Sequence, residues 1–253
     1  MRRCAVSSWS VDGLLQTGVP LLDLPAHLRH HGFSAVELCH FHLPTTDAAY
    51  LQALRDQLAA ARVELYSVLL DAGDIVSPDP AQRAADMAFT QQWIGIAAAL
   101  GAHRVRIAAG QQPPTPEVIQ RSAAQLHSLA QDAAASGVAV STENWRTTAQ
   151  EPEALLAILA ACPSPIGVCV DTGNAEATRD KYQTLRQLVP HATSVHFKAR
   201  STSAGRIDHD DVQQCLALLD AVAFDGVITL IYEQKHHEWD GLRQLRNALS
   251  PYV

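Results

Sequence analysis

Residues Gly137–Asn174 read GVAVSTENWRTTAQEPEALLAILAACPSPIGVCVDTGN. A short β-branched run, Val138–Thr142, gives way to a helical segment, Glu151–Ala160, and then to a second run, Gly167–Val170. Each run is too short for a helix and ends in polar residues, Glu143-Asn144 and Asp171-Thr172-Gly173-Asn174. The segment between them has apolar residues at helical spacing and Pro152 in its first turn, where a missing N–H costs nothing. Strand, helix, strand in under forty residues is a βαβ crossover, which joins parallel neighbours.

The unit recurs in both directions. Strand-like runs stand at Cys4–Ser8, Ala35–Cys39, Val63–Leu69, Arg104–Ala108, Thr193–Phe197 and Val227–Tyr232. The helical segments around them are Leu21–His31, Asp47–Arg62, Pro80–Leu100, Pro116–Ser136, Lys181–Leu188, Asp208–Ala223 and Trp239–Leu249. Gly32, Gly101, Gly137 and Gly226 sit where helix C-caps are expected, Pro80 and Pro116 in first turns, and Asp47, Thr115 and Asp208 at N-caps. Eight strand–helix pairs in 253 residues predict one α/β domain over residues 1–253, a single (β/α)8 TIM barrel. A doubly wound sheet would want a glycine-rich phosphate turn after the first strand, and Ser7-Ser8-Trp9-Ser10 is not one.

Composition narrows the function classes. Hydrophobic residues are 47% and charged residues 18%, enough apolar surface for a large core. The net charge of -7 argues against nucleic acid as a partner. The stretch Cys4–Gly18 has no apolar core of a signal peptide. The longest apolar run, near Ile94–Leu100, is broken by Gly95, so no membrane partner is expected and a cytoplasmic location is. Five scattered cysteines without a C-x-x-C pair read as reduced thiols.

In a barrel the chemistry lies at the C-terminal rim of the strands. Four consecutive strands end in Glu143, Asp171, His196 and Glu233. Strand alternation puts Glu143 on the face of Ser141, Asp171 on that of Cys169, His196 on that of Lys198 and Glu233 on that of Ile231. If those faces point inward, three carboxylates and one imidazole converge, which is unfavourable without a cation. One divalent metal resolves it; mostly oxygen donors suit Mn²⁺ first, then Mg²⁺ or Co²⁺, with Zn²⁺ compatible. Taken alone, Asp171 in Asp-Thr-Gly-Asn reads as a turn residue. Lys198 reads as a substrate contact or a partner of rim carboxylates. Arg106 reads as a substrate contact or an ion pair with Glu143 or Glu37. Trp9 and Trp145 follow strands one and five and could wall a sugar face; His40 and His42 are candidates for substrate contact. His236-His237 sits in a loop, which argues against a ligand role.

The series Glu143, Asp171-Thr172-Gly173-Asn174, Ser194-Val195-His196-Phe197-Lys198, Gly205-Arg206-Ile207-Asp208 and Glu233 resembles the xylose-isomerase-like TIM-barrel superfamily. That group includes sugar phosphate isomerases and epimerases, ketose 3-epimerases, hydroxypyruvate isomerase, inosose dehydratase and endonuclease IV. The resemblance implies one metal ion held by Glu143, Asp171, His196 and Glu233. It also implies an enediolate formed from a small sugar or keto-polyol, and Glu143 and Glu233 as acid and base on opposite faces of it. Glu37 would support the rim from below, and Asn174 can hydrogen-bond a substrate hydroxyl, beside the candidates for substrate contact read from position: Lys198, Arg106, His40 and Trp9. Two departures stand out. Asn174 occupies a position where ketose 3-epimerases and endonuclease IV have histidine, and Arg200 lies out of register with the epimerase arginine. The expectation is a metal-dependent isomerase or epimerase, compatible with a homo-oligomer. The alternatives are an inosose-dehydratase-like lyase and a non-catalytic sugar-binding barrel.

Overall fold

A computed structural model describes residues 3–202, 206–234, 237–250 and 252. Eight parallel strands close into a barrel in chain order, each bonded to the next and the last to the first. They are β1 (Cys4–Ser7), β2 (Ala35–Cys39), β3 (Glu64–Leu70), β4 (Arg104–Ile107), β5 (Ala139–Glu143), β6 (Gly167–Asp171), β7 (Ser194–Phe197) and β8 (Val227–Leu230). The main helices outside them are α1 (Leu24–His30), α2 (Ala48–Ala61), α3 (Pro80–Leu100), α4 (Pro116–Ala135), α5 (Pro152–Ala161), α6 (Lys181–Leu188), α7 (His209–Ala221) and α8 (Glu238–Leu249). The single (β/α)8 barrel is thus the fold. Among the described residues no helix is long and apolar enough to cross a membrane, and all five cysteines are free.

Most local signals act as read. Gly32, Gly101 and Gly137 take left-handed φ of 79°, 78° and 73° after their helices. Thr115 accepts from the Val118 amide, and Asp208 from the Asp210 and Asp211 amides. Two signals act otherwise. Asp47 makes no side-chain cap bond. Gly226 is not in the left-handed region; Ala223 takes that turn (φ 49°). Gly226 is needed for a close approach instead, since a Cβ there would stand 2.6 Å from the Thr193 carbonyl oxygen.

Alternation along the strands sorts the core into two. Val6, Val36, Val68, Val105, Val140, Val168, Val170, Val195 and Ile228 face the helices in the main apolar cluster. Ala5, Ala35, Tyr66 and Val227 form a separate plug at the N-terminal end of the barrel. Above that plug many inward positions are small or polar: Ser7, Glu37, Ser67, Ser141, Cys169, Ser194 and Thr229, all buried. Barrel interiors are usually filled by branched apolar residues. Here the buried hydroxyls Ser141 Oγ and Thr229 Oγ1 have no hydrogen-bond partner. This interior is built for polar groups.

Candidate active site at the barrel mouth

Glu143 and Asp171 are the last residues of β5 and β6, and His196 is the third of β7. The pairings Glu143↔Cys169 and Asp171↔His196 set them side by side on the inner wall. All three are buried. His196 Nδ1 lies 3.6 Å from Glu143 Oε2 and 3.7 Å from Asp171 Oδ2. Its other nitrogen, Nε2, donates to Glu37 Oε2 at 2.7 Å. Glu37, 1% exposed on β2, thus supports the rim from below as the resemblance implied.

Asp171 divides its labour. Oδ1 accepts from the Gly173 and Asn174 amides at 2.6 and 2.7 Å, the turn role, while Oδ2 faces His196. The strand end is clamped by Asn144, whose side chain bonds both the amide (2.7 Å) and the carbonyl (3.0 Å) of Asp171. Asn174 donates to Glu143 Oε1 at 2.7 Å, so the residue that replaces the expected histidine orients a carboxylate. Burial alone would raise the Asp171 carboxyl, but the contacts with His196 and Lys198 and the Asn174 amide hold it below its ordinary value. Burial alone would lower His196; Cys169, Glu37 and Glu143 hold it well above the usual imidazole range.

Arg106 does not reach Glu37. Its Nη2 binds Asp71 Oδ1 at 2.7 Å, just past β3, and its Nε stands 2.9 Å from Glu143 Oε2. The Nε–Oε2 contact is not aligned as a hydrogen bond, and Glu143 Oε2 is a buried oxygen without one. Two guanidiniums stand over the Trp145 ring, that of Arg106 4.8 Å and that of Arg146 4.2 Å from its centre. Glu233 stands three residues beyond β8 with its side chain 50% exposed, ion-paired through Oε1 with Lys198 Nζ. Thr172 holds Lys198 there, its hydroxyl bonding the Lys198 amide and carbonyl. Trp9 and Phe41, both 45% exposed, meet edge to face at the rim.

A cavity of about 160 Å³ joins these groups; Trp9, Cys39, Leu69, Asp71, Arg106, Glu143, Trp145, Asp171, Asn174, His196, Lys198, Ile231 and Glu233 are on its wall. Of the residues expected at substrate, His40 is not on that wall. Its ring packs against Phe89 and Trp93 of α3, and its Nδ1 accepts the Asp71 amide at 3.4 Å. His42 bonds Ser8 Oγ and Asp12 Oδ1 and ties the first two loops together. Arg200 pairs with Glu176. Gly205 and His236 lie outside the described residues. Asp71 and Cys169 went unread as site residues. The shared parity of Cys169 and Asp171 was the signal available for Cys169; for Asp71 the shift in the pairing of β2 with β3 left none.

Glu143 and Asp171 each stand from His196 Nδ1 at about the spacing of two ligands on one divalent ion, and one donor atom each of Glu143, Cys169 and His196 lies within 4.8 Å of the other two. Four-coordinate donors about 2.1 Å from one ion stand about 3.4 Å apart, close to the 3.6 and 3.7 Å found around His196 Nδ1. Glu143 Oε2 accepts no hydrogen bond, although Arg106 Nε stands 2.9 Å from it. The carboxylate on the far imidazole nitrogen is the usual support of a metal-bound histidine. Glu37, Asp71, Glu143, Asp171 and Glu233 also outnumber Arg106, Lys198 and a charged His196.

Solved structures with this fold include an L-ribulose 3-epimerase (TM-score 0.81, 19% identity, 98% of this chain and 93% of that one). A 3-keto-D-glucoside 4-epimerase from E. coli aligns with TM-score 0.76 at 14% identity over 98% of this chain and 100% of that one. A probable 3-DHS dehydratase from Bacillus anthracis aligns with TM-score 0.73 at 16% identity over 98% and 99%. No curated protein matches the chain by sequence. Residues 25–250 match the family described as "Xylose isomerase-like TIM barrel", and the chain belongs to that family.

Proposed function

We propose that this chain is a divalent-metal-dependent isomerase or epimerase of a small sugar or hydroxy-ketone. The observation that carries the reading is the buried trio Glu143, Asp171 and His196 on adjacent strands, with Glu143 Oε2, which accepts no hydrogen bond, 3.6 Å from the imidazole Nδ1. The structural neighbours that act on sugars support it. A metal ion held there would polarise a substrate carbonyl and steady the negative charge left when the adjacent proton departs.

The rest is the work of the chain. Glu143 and Glu233 reach the cavity from β5 and from beyond β8, three strands apart around the ring. One can take a proton from one face of a bound carbon while the other returns it to the opposite face. Asn174 holds Glu143 through Oε1, which leaves Oε2 toward the cavity. Lys198 holds Glu233 at the rim and can turn to a substrate oxygen when that pair opens. Arg106, fixed by Asp71, offers a cation to a hydroxyl or an anionic group. Trp9 and Trp145 give an apolar wall for the carbon face of a sugar. The probable dehydratase among the neighbours keeps a lyase as the alternative reading.

The test begins with metal content by elemental mass spectrometry on tag-free protein, beside Asp171→Ala. About one ion per chain, lost in the variant, is expected. A ketose and inosose panel in D₂O then follows by NMR: deuterium entering the product without loss of water marks the isomerase, and release of water marks the lyase. A chain that takes up no Mn²⁺, Co²⁺ or Zn²⁺ refutes the reading, and metal without exchange leaves a binding protein.

A further inference from the structure

The cavity beside Glu143, Asp171 and His196 holds about 160 Å³, well under the about 300–1,000 Å³ usual for a ligand pocket. A second cavity of about 1080 Å³ adjoins it, and Lys198 and Glu233 stand on the walls of both. One wall of the larger cavity is the chain between β7 and α7, which folds back on itself. Ser201 pairs antiparallel with Ile207. The Thr202 amide donates to the Arg206 carbonyl and the Asp208 amide to the Arg200 carbonyl, each at 2.8 Å. Buried Asp211 accepts the Arg200 amide, and Asp208 caps α7, so this wall is anchored at both ends. Its charges largely cancel. Glu176 pairs with Arg200 and Glu233 with Lys198, and Asp208 is spent on the first amides of α7. That leaves Arg206 and Asp210, both exposed and without an ion pair among the described residues.

We propose that the substrate is a glycosylated keto-sugar, with its reacting unit in the inner cavity and a second, uncharged, hydroxyl-rich unit in the outer one. This rests on the isomerase or epimerase reading above. A hydroxyl both donates and accepts hydrogen bonds, so it suits a wall that offers a guanidinium and a carboxylate together. A phosphate or carboxylate in the same place would meet Glu176, Asp208, Asp210 and Glu233 against Lys198, Arg200 and Arg206. That wall has no excess of positive charge to hold an anion. The bond between the two sugar units passes the Lys198–Glu233 pair, which both cavities share. A free monosaccharide would occupy the inner cavity and leave the outer one to water.

The experiment follows deuterium exchange from D₂O by NMR on the metal-loaded parent. The probes are the free ketohexoses fructose, tagatose, psicose and sorbose, the glucosyl fructoses turanose, maltulose, leucrose and isomaltulose, and fructose 6-phosphate. At least one glucosyl fructose should exchange with kcat/KM about tenfold or more above every free ketohexose. Saturation-transfer NMR on the same sugar should show the protons of its glucosyl ring in contact with the protein. Arg206→Gln, at an exposed position, should lower the ratio of glucosyl to free ketose in kcat/KM about tenfold, through KM rather than kcat. Asp210→Asn should move the ratio the same way. Free ketohexoses that match every glucosyl fructose, or a preference for fructose 6-phosphate, overturn the proposal and leave the isomerase reading standing. Contact with the glucosyl ring without exchange into any sugar overturns the isomerase reading and keeps the outer chamber as a sugar site. Neither exchange nor contact with any sugar overturns both.

Discussion

Replacing Lys181 with methionine removes one charge from a buried cluster that anchors the segment after β7. Lys181 Nζ binds Asp211 Oδ1 at 2.5 Å and Glu176 Oε1 at 2.8 Å, and the Lys181 and Asp211 side chains are 2% and 0% exposed. Asp211 also accepts the Tyr182 hydroxyl at 2.9 Å and the Arg200 amide at 2.9 Å. That amide is two residues from Lys198, so the cluster reaches the mouth of the barrel. Methionine restores the packing of the aliphatic stem and leaves a buried carboxylate without its cation. Breaking a buried pair costs about 3–5 kcal/mol. The remaining donors to Asp211 place this case near about 3 kcal/mol, and a chain of this size shifts by about 2–4 °C per kcal/mol. Calorimetry at pH 7 should show Tm lower by about 6–12 °C.

The pH dependence follows from the signs. Burial alone would raise the Asp211 carboxyl, but the Arg200 amide and Lys181 hold it below its ordinary 3.8. Its contribution is present above 3.8 and is lost as pH falls through the lower folded value. Burial alone would lower Lys181, yet Cys215, Asp211 and Glu176 hold it above 10.5. That contribution is present below 10.5 and is lost as pH rises past the folded value. The gap between parent and variant should be full between those limits and shrink outside them. Adding Asp211→Leu should recover part of the loss. A Tm change under about 2 °C at pH 7, or a gap that ignores pH, refutes the reasoning.

Glu37→Gln keeps the shape beside His196 and removes the charge; metal affinity by calorimetric titration should fall about 10- to 100-fold, and unchanged affinity would separate Glu37 from the ion. Gly173→Ala places a methyl against the Lys198 stem, so solvent exchange into substrate should drop while the metal content by mass spectrometry stays; equal loss of both contradicts the role given to Lys198. Thr229→Val replaces a buried hydroxyl that has no partner, and Tm should rise by a few degrees, since an unmet polar group costs about 1–3 kcal/mol. A lower Tm would mean that the hydroxyl holds a water.

Much of the site could be read because its signals are local. The eight units, the proline first turns and the Asp208 cap depend on residues a few positions apart. The inward parity of Glu143, Asp171 and His196 needs only that strands alternate. Arg106 was left between a substrate and two carboxylates, and the carboxylate it found besides Glu143 was Asp71. Its partner depends on β3, where the pairing with β2 shifts between Val36 and Glu37. A one-residue slip exchanges the two faces of a strand. No spacing within β3 announces the slip, and with it goes the placement of Leu69 and Asp71 at the cavity.

The sequence by itself determined the barrel and the inward parity of Glu143, Asp171 and His196, because period, caps and face are properties of short stretches; which side chain supports His196 was decided by the tertiary structure, where Glu37 binds its Nε2. Only the tertiary structure decided that Glu233 stands half exposed against Lys198, that Arg106 bridges Asp71 and Glu143, and that Cys169 lies level with Glu143. These are relations between strands far apart in the chain. Closing eight strands into a ring sets their stagger together, and that stagger fixes which side chains share a level.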